Sequence, residues 1–374
     1  MSIINPSGKD VFAVTTQLCG RPLTLEVNRV GFRSTASVLV RYGDTVVLGT
    51  AQVGSRPVTL DYFPLSIDYE EKFYASGKIS GSRFIKREGR PSDEAVLIGR
   101  LIDRPIRPLF PKGYRQEVQV ATVLSMDPSF RPDMVAMVAA SSALMLTGTP
   151  FDGPVAGLRV GRVNGEFKAF LSPEEREQSD LDLVVAGIER GITMVEAGAK
   201  EVPEDVIVDA IAWAHQAMQP AIALQRELAN KVAPASQEYE LVLPNEDIQA
   251  VANQWVDGKL GEKIRRPYPE RNEVVNEIRW AFHEAMAEQL GLDGEEYAAV
   301  RDEYDEAFTL ALHNDVRRGI VEERTRPDGR ALTEIRPLSS EVGILPRTHG
   351  SSLFTRGVTQ GMNIVTLAPL SYAQ

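Results

Sequence analysis

Residues 37–53 read Ser-Val-Leu-Val-Arg-Tyr-Gly-Asp-Thr-Val-Val-Leu-Gly-Thr-Ala-Gln-Val, and residues 351–367 read Ser-Ser-Leu-Phe-Thr-Arg-Gly-Val-Thr-Gln-Gly-Met-Asn-Ile-Val-Thr-Leu. Ser37, Leu39, Gly43 and Thr45 match Ser351, Leu353, Gly357 and Thr359 at one constant offset of 314. Each copy puts a turn at the glycine and a strand after the threonine, which is the pattern of a β-hairpin. A second pair stands upstream in the same order: Gly20-Arg21-Pro22-Leu23-Thr24 and Gly329-Arg330-Ala331-Leu332-Thr333. Chance supplies single matches easily. Two in the same order, one holding its offset over four positions, predict a duplicated domain.

Outward from the first hairpin, the chain alternates strands and helices. Ser37–Arg41 and Thr45–Val53 read as strands around the turn Arg41-Tyr42-Gly43-Asp44. Ser92 can cap a helix whose first turn carries Asp93 and Glu94, and Pro105 and Pro108 predict its end near Asp103. Val118–Leu124 reads as a strand, and Asp133–Leu146 as a buried helix apolar nearly all round, closed by Gly148 and Pro150. Val155–Val160, Glu166–Leu171, Leu181–Val185 and Ile192–Ala197 read as short strands. Glu204–Lys231 reads as a helix with Ile207, Ile211, Ala214 and Met218 on one face and a kink at Pro220.

Pro234 to Tyr239 reads as a boundary. Residues 245–325, rich in Glu, Ala and Arg with breaks at Pro267, Pro269 and Gly291–Gly294, predict about four helices. The turn Pro327-Asp328-Gly329 follows. The second copy has about 45 residues before Gln374, too few to bury a core, and its last strand is expected to leave an unpaired edge. The expectation is a chain truncated within its second α/β domain.

Composition narrows the function. For 374 residues, roughly 100–200 per domain allows two to three domains. With 43% apolar and 25% charged residues, neither disorder nor a fibrous repeat is expected. No run approaches the ~18 apolar residues of a membrane span, and Met1–Asp10 lacks the order of a signal peptide. A single cysteine, Cys19, excludes a disulfide framework, makes the cytoplasm the expected compartment, and reads as a buried small hydrophobe. The histidines, His215, His283, His313 and His349, share no metal-ligand spacing and read as structural or surface groups. Gly157-x-x-x-Gly161 sits in a strand-like context and carries no membrane meaning.

Charge is uneven. The net charge is −11, yet Lys78 to Arg115 holds ten basic residues against four acids, +6 in 38 residues. A basic island in an acidic protein can hold a polyanion in one place and repel it elsewhere. Within it, Phe84 stands among Arg83, Lys86, Arg87 and Arg90 in a Gly/Ser-flanked stretch. Cations that track phosphates around an aromatic face that stacks a base are what single-stranded nucleic acid needs. Arg100, Arg104 and Arg107 follow near a helix end. Their competing role is to pair with carboxylates such as Asp103 or to satisfy terminal carbonyls.

Gly89-Arg90-Pro91-Ser92, then Arg100-Leu101-Ile102-Asp103-Arg104-Pro105-Ile106-Arg107-Pro108-Leu109-Phe110, closely resemble the bacterial polynucleotide phosphorylase family. The resemblance extends through Asp61-Tyr62-Phe63-Pro64-Leu65 and, in the second copy, Leu345-Pro346-Arg347-Thr348-His349-Gly350-Ser351. It implies an α/β (α+β) fold: a ribonuclease-PH-like core of the ribosomal protein S5 domain 2-like type over 1–235, an all-helical linker over 236–325, and the truncated start of a second such core over 326–374. It also implies KH and S1 domains further on, a homotrimeric ring around a pore, and possible membership of an RNA-degradation complex. The implied activity is 3′-to-5′ phosphorolysis of single-stranded RNA with inorganic phosphate and Mg2+, releasing nucleoside diphosphates. Phe84, Lys86, Arg87 and Arg90 would grip RNA at the pore, with Arg83, Arg100, Arg104 and Arg107 as further candidates. Ile85 stands where many members have a second aromatic.

In that family the active core has a serine-rich phosphate loop before a buried helix and an Asp-x5-Asp-x-Lys pattern. In the first core the corresponding places hold Arg131-Pro132-Asp133, Arg176, Asp182 and Val184. One carboxylate of the set remains, so no catalytic or metal site is expected within this chain, and the active site is expected beyond residue 374. Asp180 and Asp182 then read as ordinary surface or turn carboxylates. Two rival readings are a non-catalytic RNA-binding assembly scaffold and a stand-alone ribonuclease-PH-type tRNA-trimming enzyme. The helical linker and second copy count against the latter.

Overall fold

The structure is a computed structural model and describes residues 10–55, 58, 62–77, 90–243, 245–369 and 371. The chain divides into two compact units, 1–243 and 244–374.

In the first unit, β1 (Phe12–Leu18), β2 (Arg21–Val27), β3 (Ala36–Tyr42), β4 (Thr45–Val53) and β5 (Leu65–Ile67) precede α1 (Asp93–Ile106). Then come β6 (Val118–Ser125), α2 (Asp133–Met145), β7 (Ala156–Val163), β8 (Glu166–Ala169), α3 (Pro173–Gln178), β9 (Leu181–Ile188), β10 (Gly191–Ala199) and α4 (Glu204–Val232). They build a six-stranded sheet of order β1-β2-β3-β4-β6-β5 and a four-stranded sheet of order β10-β9-β7-β8. Only the β5–β6 pair is parallel.

The buried helix read from the sequence is α2. It packs on β3, β4 and β6 of one sheet and on β7 of the other, so it has no polar face. Two glycines make the close approach possible. A Cβ on Gly49 of β4 would lie 2.3 Å from the Ala139 carbonyl oxygen, and one on Gly157 of β7 would lie 2.7 Å from Met137 Sδ. Gly157 and Gly161 are therefore helix-packing positions on a strand.

Three local expectations change. The first helix runs through Pro105 to Ile106 and continues as a 3₁₀ turn, Arg107–Leu109. A proline in the last turn removes one backbone bond, and its side chain is buried, so tertiary packing outweighs the loss. Glu204–Val232 is one continuous 29-residue helix with Pro220 inside it. Cys19 is exposed at the β1–β2 turn with φ 47°, not buried; partial covering of its sulfur pushes the thiol up to about 11.

The second unit opens with α5 (Glu246–Val256), α6 (Glu270–Leu290), α7 (Gly294–Ala298) and α8 (Arg301–Val321). Its core gathers Trp255, Phe282, Tyr304 and Phe308. His283 is buried there, with Nδ1 2.8 Å from the Tyr297 hydroxyl and Nε2 3.0 Å from Asp305. Arg265, 5% exposed at its side chain, binds Asp315 and lies where a Cβ on Gly319 would be.

The chain then forms β11 (Leu338–Val342), β12 (Gly350–Arg356) and β13 (Thr359–Val365), an antiparallel sheet of order β11-β12-β13. The duplication is visible in its register. Tyr42 pairs with Thr45 and Ala36 with Ala51 in the first hairpin; Arg356 pairs with Thr359 and Gly350 with Val365 in the second, all offset by 314. The partner strand corrects the upstream match. Leu23↔Tyr42 and Val27↔Val38 correspond to Leu338↔Arg356 and Val342↔Ser352, so β2 has its counterpart in Leu338–Val342. Pro22-Leu23-Thr24 thus aligns with Pro337-Leu338-Ser339, and Gly329–Thr333 lies in a separate turn region.

Candidate functional site

Two surfaces carry the chemistry. The first is the basic segment. Phe84, Lys86, Arg87 and Arg83 lie outside the described residues. Arg90 is exposed just before α1, whose N-terminus is capped by Ser92 accepting from the Ala95 amide at 3.1 Å. Arg100 and Arg104, one turn apart, share the outward face of α1 with exposed Val96. Arg104 pairs with Glu196 at 2.9 Å across an exposed gap.

Arg107 differs. Its guanidinium donates twice to Asp103, at 2.8 and 2.7 Å, and to the carbonyls of Phe63 and Leu65, at 2.7 and 3.0 Å. Four of its five N–H groups tie α1 to the chain around β5, so Arg107 holds the fold rather than facing a polyanion. The carboxylate-pairing role is the one the structure gives it.

The second surface is a cleft of about 270 Å3 at the N-terminus of α2. All the positions aligned with the family's catalytic pattern, apart from Val184, line it: Arg131 and Asp133 from the start of α2, Arg176 from α3, and Asp182 from β9. Val184 is buried in the β9 strand at 2% exposure. Asp180 and Lys200 complete the polar lining, and Phe130, Met134, Phe170 and Leu171 form the apolar part.

Arg159 controls the electrostatics. It lies in β7, an otherwise apolar strand, and its side chain crosses between two carboxylates. Nη2 is 2.9 Å from Asp133 and Nη1 is 2.7 Å from Asp182. Burial alone would lower this guanidinium, but Asp133 and Asp182 more than offset that and hold it above its ordinary value. Asp133 is 1% exposed and also accepts from the Met134 amide at 2.9 Å. Asp180 is bound by Arg162, whose hydrogen bond holds the carboxyl below its usual range.

Asp180 and Asp182 are thus lining groups committed to arginines, not free surface carboxylates. The set does not fit Mg2+. A divalent ion needs free carboxylate oxygens, and a guanidinium already bridges Asp133 and Asp182. Among the described residues no group of three His, Cys, Asp or Glu is placed to hold a metal.

The cations are less committed. Arg131 pairs with Glu94 and lies 3.7 Å from Asp133. Lys200 donates to the Ser179 carbonyl at 2.9 Å and has no carboxylate partner among the described residues. Arg176 is exposed and makes no side-chain ion pair among them. Arg159 and Lys200 escaped the sequence reading. The available signal was an arginine at the centre of the apolar run Ala156–Val163, where an unpaired charge would be prohibitive.

The comparisons with known proteins agree with this layout. The profile of the 3′ exoribonuclease family, domain 1, matches residues 20–150, and that of domain 2 matches residues 153–217. A polyribonucleotide nucleotidyltransferase of Anoxybacillus flavithermus is 47% identical over 367 residues, covering 98% of this chain and 51% of its own length. Those of Geobacillus kaustophilus and Shouchella clausii are 45% and 44% identical, covering 98% and 95% of this chain. The chain spans about half the length of these curated relatives. No described helix is long and apolar enough to cross a membrane. The two matched profiles, set on a pair of sheets around one buried helix and joined by relatives similar along nearly the whole chain, make this protein a member of the 3′ exoribonuclease family.

Proposed function

We propose that the whole protein degrades single-stranded RNA from its 3′ end by phosphorolysis, with inorganic phosphate as co-substrate and nucleoside 5′-diphosphates as products. The observation that carries this reading is the similarity, at 44–47% identity over 95–98% of the chain, to polyribonucleotide nucleotidyltransferases. In this reading residues 1–235 are a first core that guides RNA, 236–325 a helical linker, and 326–374 the opening of the catalytic core, whose Mg2+ and active site lie beyond residue 374. The protein works in the cytoplasm as a homotrimeric ring, with further partners in an RNA-degradation complex.

The first core supports a non-catalytic role on its own terms. Phosphorolysis brings two anions together, so its site needs cations or a metal facing the reacting oxygens. Here the central guanidinium is satisfied by Asp133 and Asp182. RNA would instead be held by Phe84, Lys86, Arg87 and Arg90, with Arg83, Arg100 and Arg104 nearby. Incubating the full reading frame with poly(A), phosphate and Mg2+ should release nucleoside diphosphate, whereas residues 1–374 should release none. Turnover by residues 1–374 that Asp182→Ala abolishes would put the active site in the first core and overturn the proposal.

A further inference from the structure

We propose that the first-core cleft binds a nucleoside 5′-phosphate without any metal ion. The inference goes beyond RNA degradation and does not depend on the basic segment. Three features of the cleft converge on it.

The first is the division of its lining. Phe170, Leu171 and Met134 make an apolar wall backed by Phe130, while Arg176 and Lys200 stand at the polar side without carboxylate partners among the described residues. A bare inorganic anion would leave that wall uncovered. A ligand with a flat apolar part and an anionic end satisfies both, and ligand sites of this kind pair an apolar lining with a few placed polar groups.

The second is the backbone of Phe170. It has φ 55°, in the left-handed region that bulky residues avoid, immediately after β8. Its ring packs edge-on to Phe130, at 5.5 Å between centroids, and lines the cleft. Backbone strain of this sort persists where surrounding structure enforces it, and such residues cluster at ligand sites.

The third is the state of the carboxylates. Asp133 is buried and consumed by Arg159, but Asp182 is 64% exposed at its side chain and uses one oxygen, Oδ1, on Arg159. A carboxylate has spare acceptor capacity, so ribose hydroxyls can donate to Asp182. Arg159 meanwhile supplies the fixed positive charge that a metal would otherwise bring.

The experiment is calorimetric titration of residues 1–374 in EDTA with ADP, AMP, adenosine and inorganic pyrophosphate. ADP and AMP are expected to bind saturably, and adenosine and pyrophosphate at least about tenfold more weakly. Arg176→Ala and Lys200→Ala should each weaken ADP about tenfold or more, the cost of one charge-assisted hydrogen bond. Both are surface changes, so an unchanged unfolding temperature shows that the fold is intact. Lys86→Ala should leave ADP binding as it was, which separates this site from the RNA-gripping segment. No saturable binding of ADP or AMP would overturn the proposal. So would pyrophosphate binding as tightly as ADP, which would reveal an anion site only, or ADP binding that neither Arg176→Ala nor Lys200→Ala alters.

Discussion

Replacing Arg159 by Met tests the electrostatic account of the cleft. Methionine keeps the length of the stem and removes the guanidinium. Asp133, 1% exposed, then keeps the Met134 amide at 2.9 Å and a distant Arg131 at 3.7 Å. Breaking a buried pair from one side costs about 3–5 kcal/mol, and the first turn of α2 returns up to about 1 kcal/mol to a carboxylate there. A net loss of about 3 kcal/mol follows. In a unit of this size each kcal/mol moves the unfolding midpoint by about 2–4 °C, so a fall of roughly 6–12 °C is expected by circular dichroism. Asp182 contributes little, being largely exposed. The decisive variant is the double one. Asp133→Asn keeps an acceptor for the Met134 amide and removes the orphaned charge, so Arg159→Met with Asp133→Asn should recover a large part of the loss. If the single change costs under about 2 °C, or the second change deepens the loss, the pair does not hold the cleft.

Three further outcomes follow from the packing and the charges. Gly49→Ala forces a methyl against the Ala139 carbonyl, where overpacking costs about 1–3 kcal/mol, whereas Gly191→Ala meets open space and should be neutral or slightly stabilising in the same melting experiment. Ser92→Ala removes the cap of α1 and should cost about 1 kcal/mol, read as a fall of about 2–4 °C with little change in enthalpy. Burial alone would raise the Asp315 carboxyl, yet hydrogen bonds from Arg318 and Arg265 hold it below its usual range, and Asp305 is held down likewise by Arg279 and His283. A depressed folded value means stability present above the unfolded value, about 3.9, and lost as pH falls through the folded one. Acid titration of the helical unit should therefore show unfolding that Asp315→Asn makes less steep.

The hairpins were legible because a strict two-residue alternation, a glycine at the turn and a constant offset leave few other readings. Helix α2 was legible because a helix apolar on every side has nowhere to lie but inside. The end of α1 was not, since proline propensity at Pro105 is local and the burial that outweighs it is tertiary. The upstream repeat misled because Gly-Arg and Leu-Thr are turn and strand residues anywhere; pairing register, not similarity, identifies β2 with Leu338–Val342. The cleft stayed hidden because its parts come from four separate elements. Only Arg159, a charge inside a buried strand, pointed to it.

The two hairpins share a register but not an inner face. Where Val38 stands opposite Gly49 in the first, Ser352 stands opposite Asn363 in the second. The glycine lets a helix axis come so close that a carbonyl occupies the space of a methyl. An asparagine at that place holds a helix away and asks it for a polar partner. The ancestral symmetry therefore survives in the backbone ladder and is lost in the surface it presents, so the halves are no longer interchangeable. Transplanting Gly350–Val365 into the place of Ala36–Ala51 would preserve every strand pairing and still press an amide side chain into the Ala139 turn.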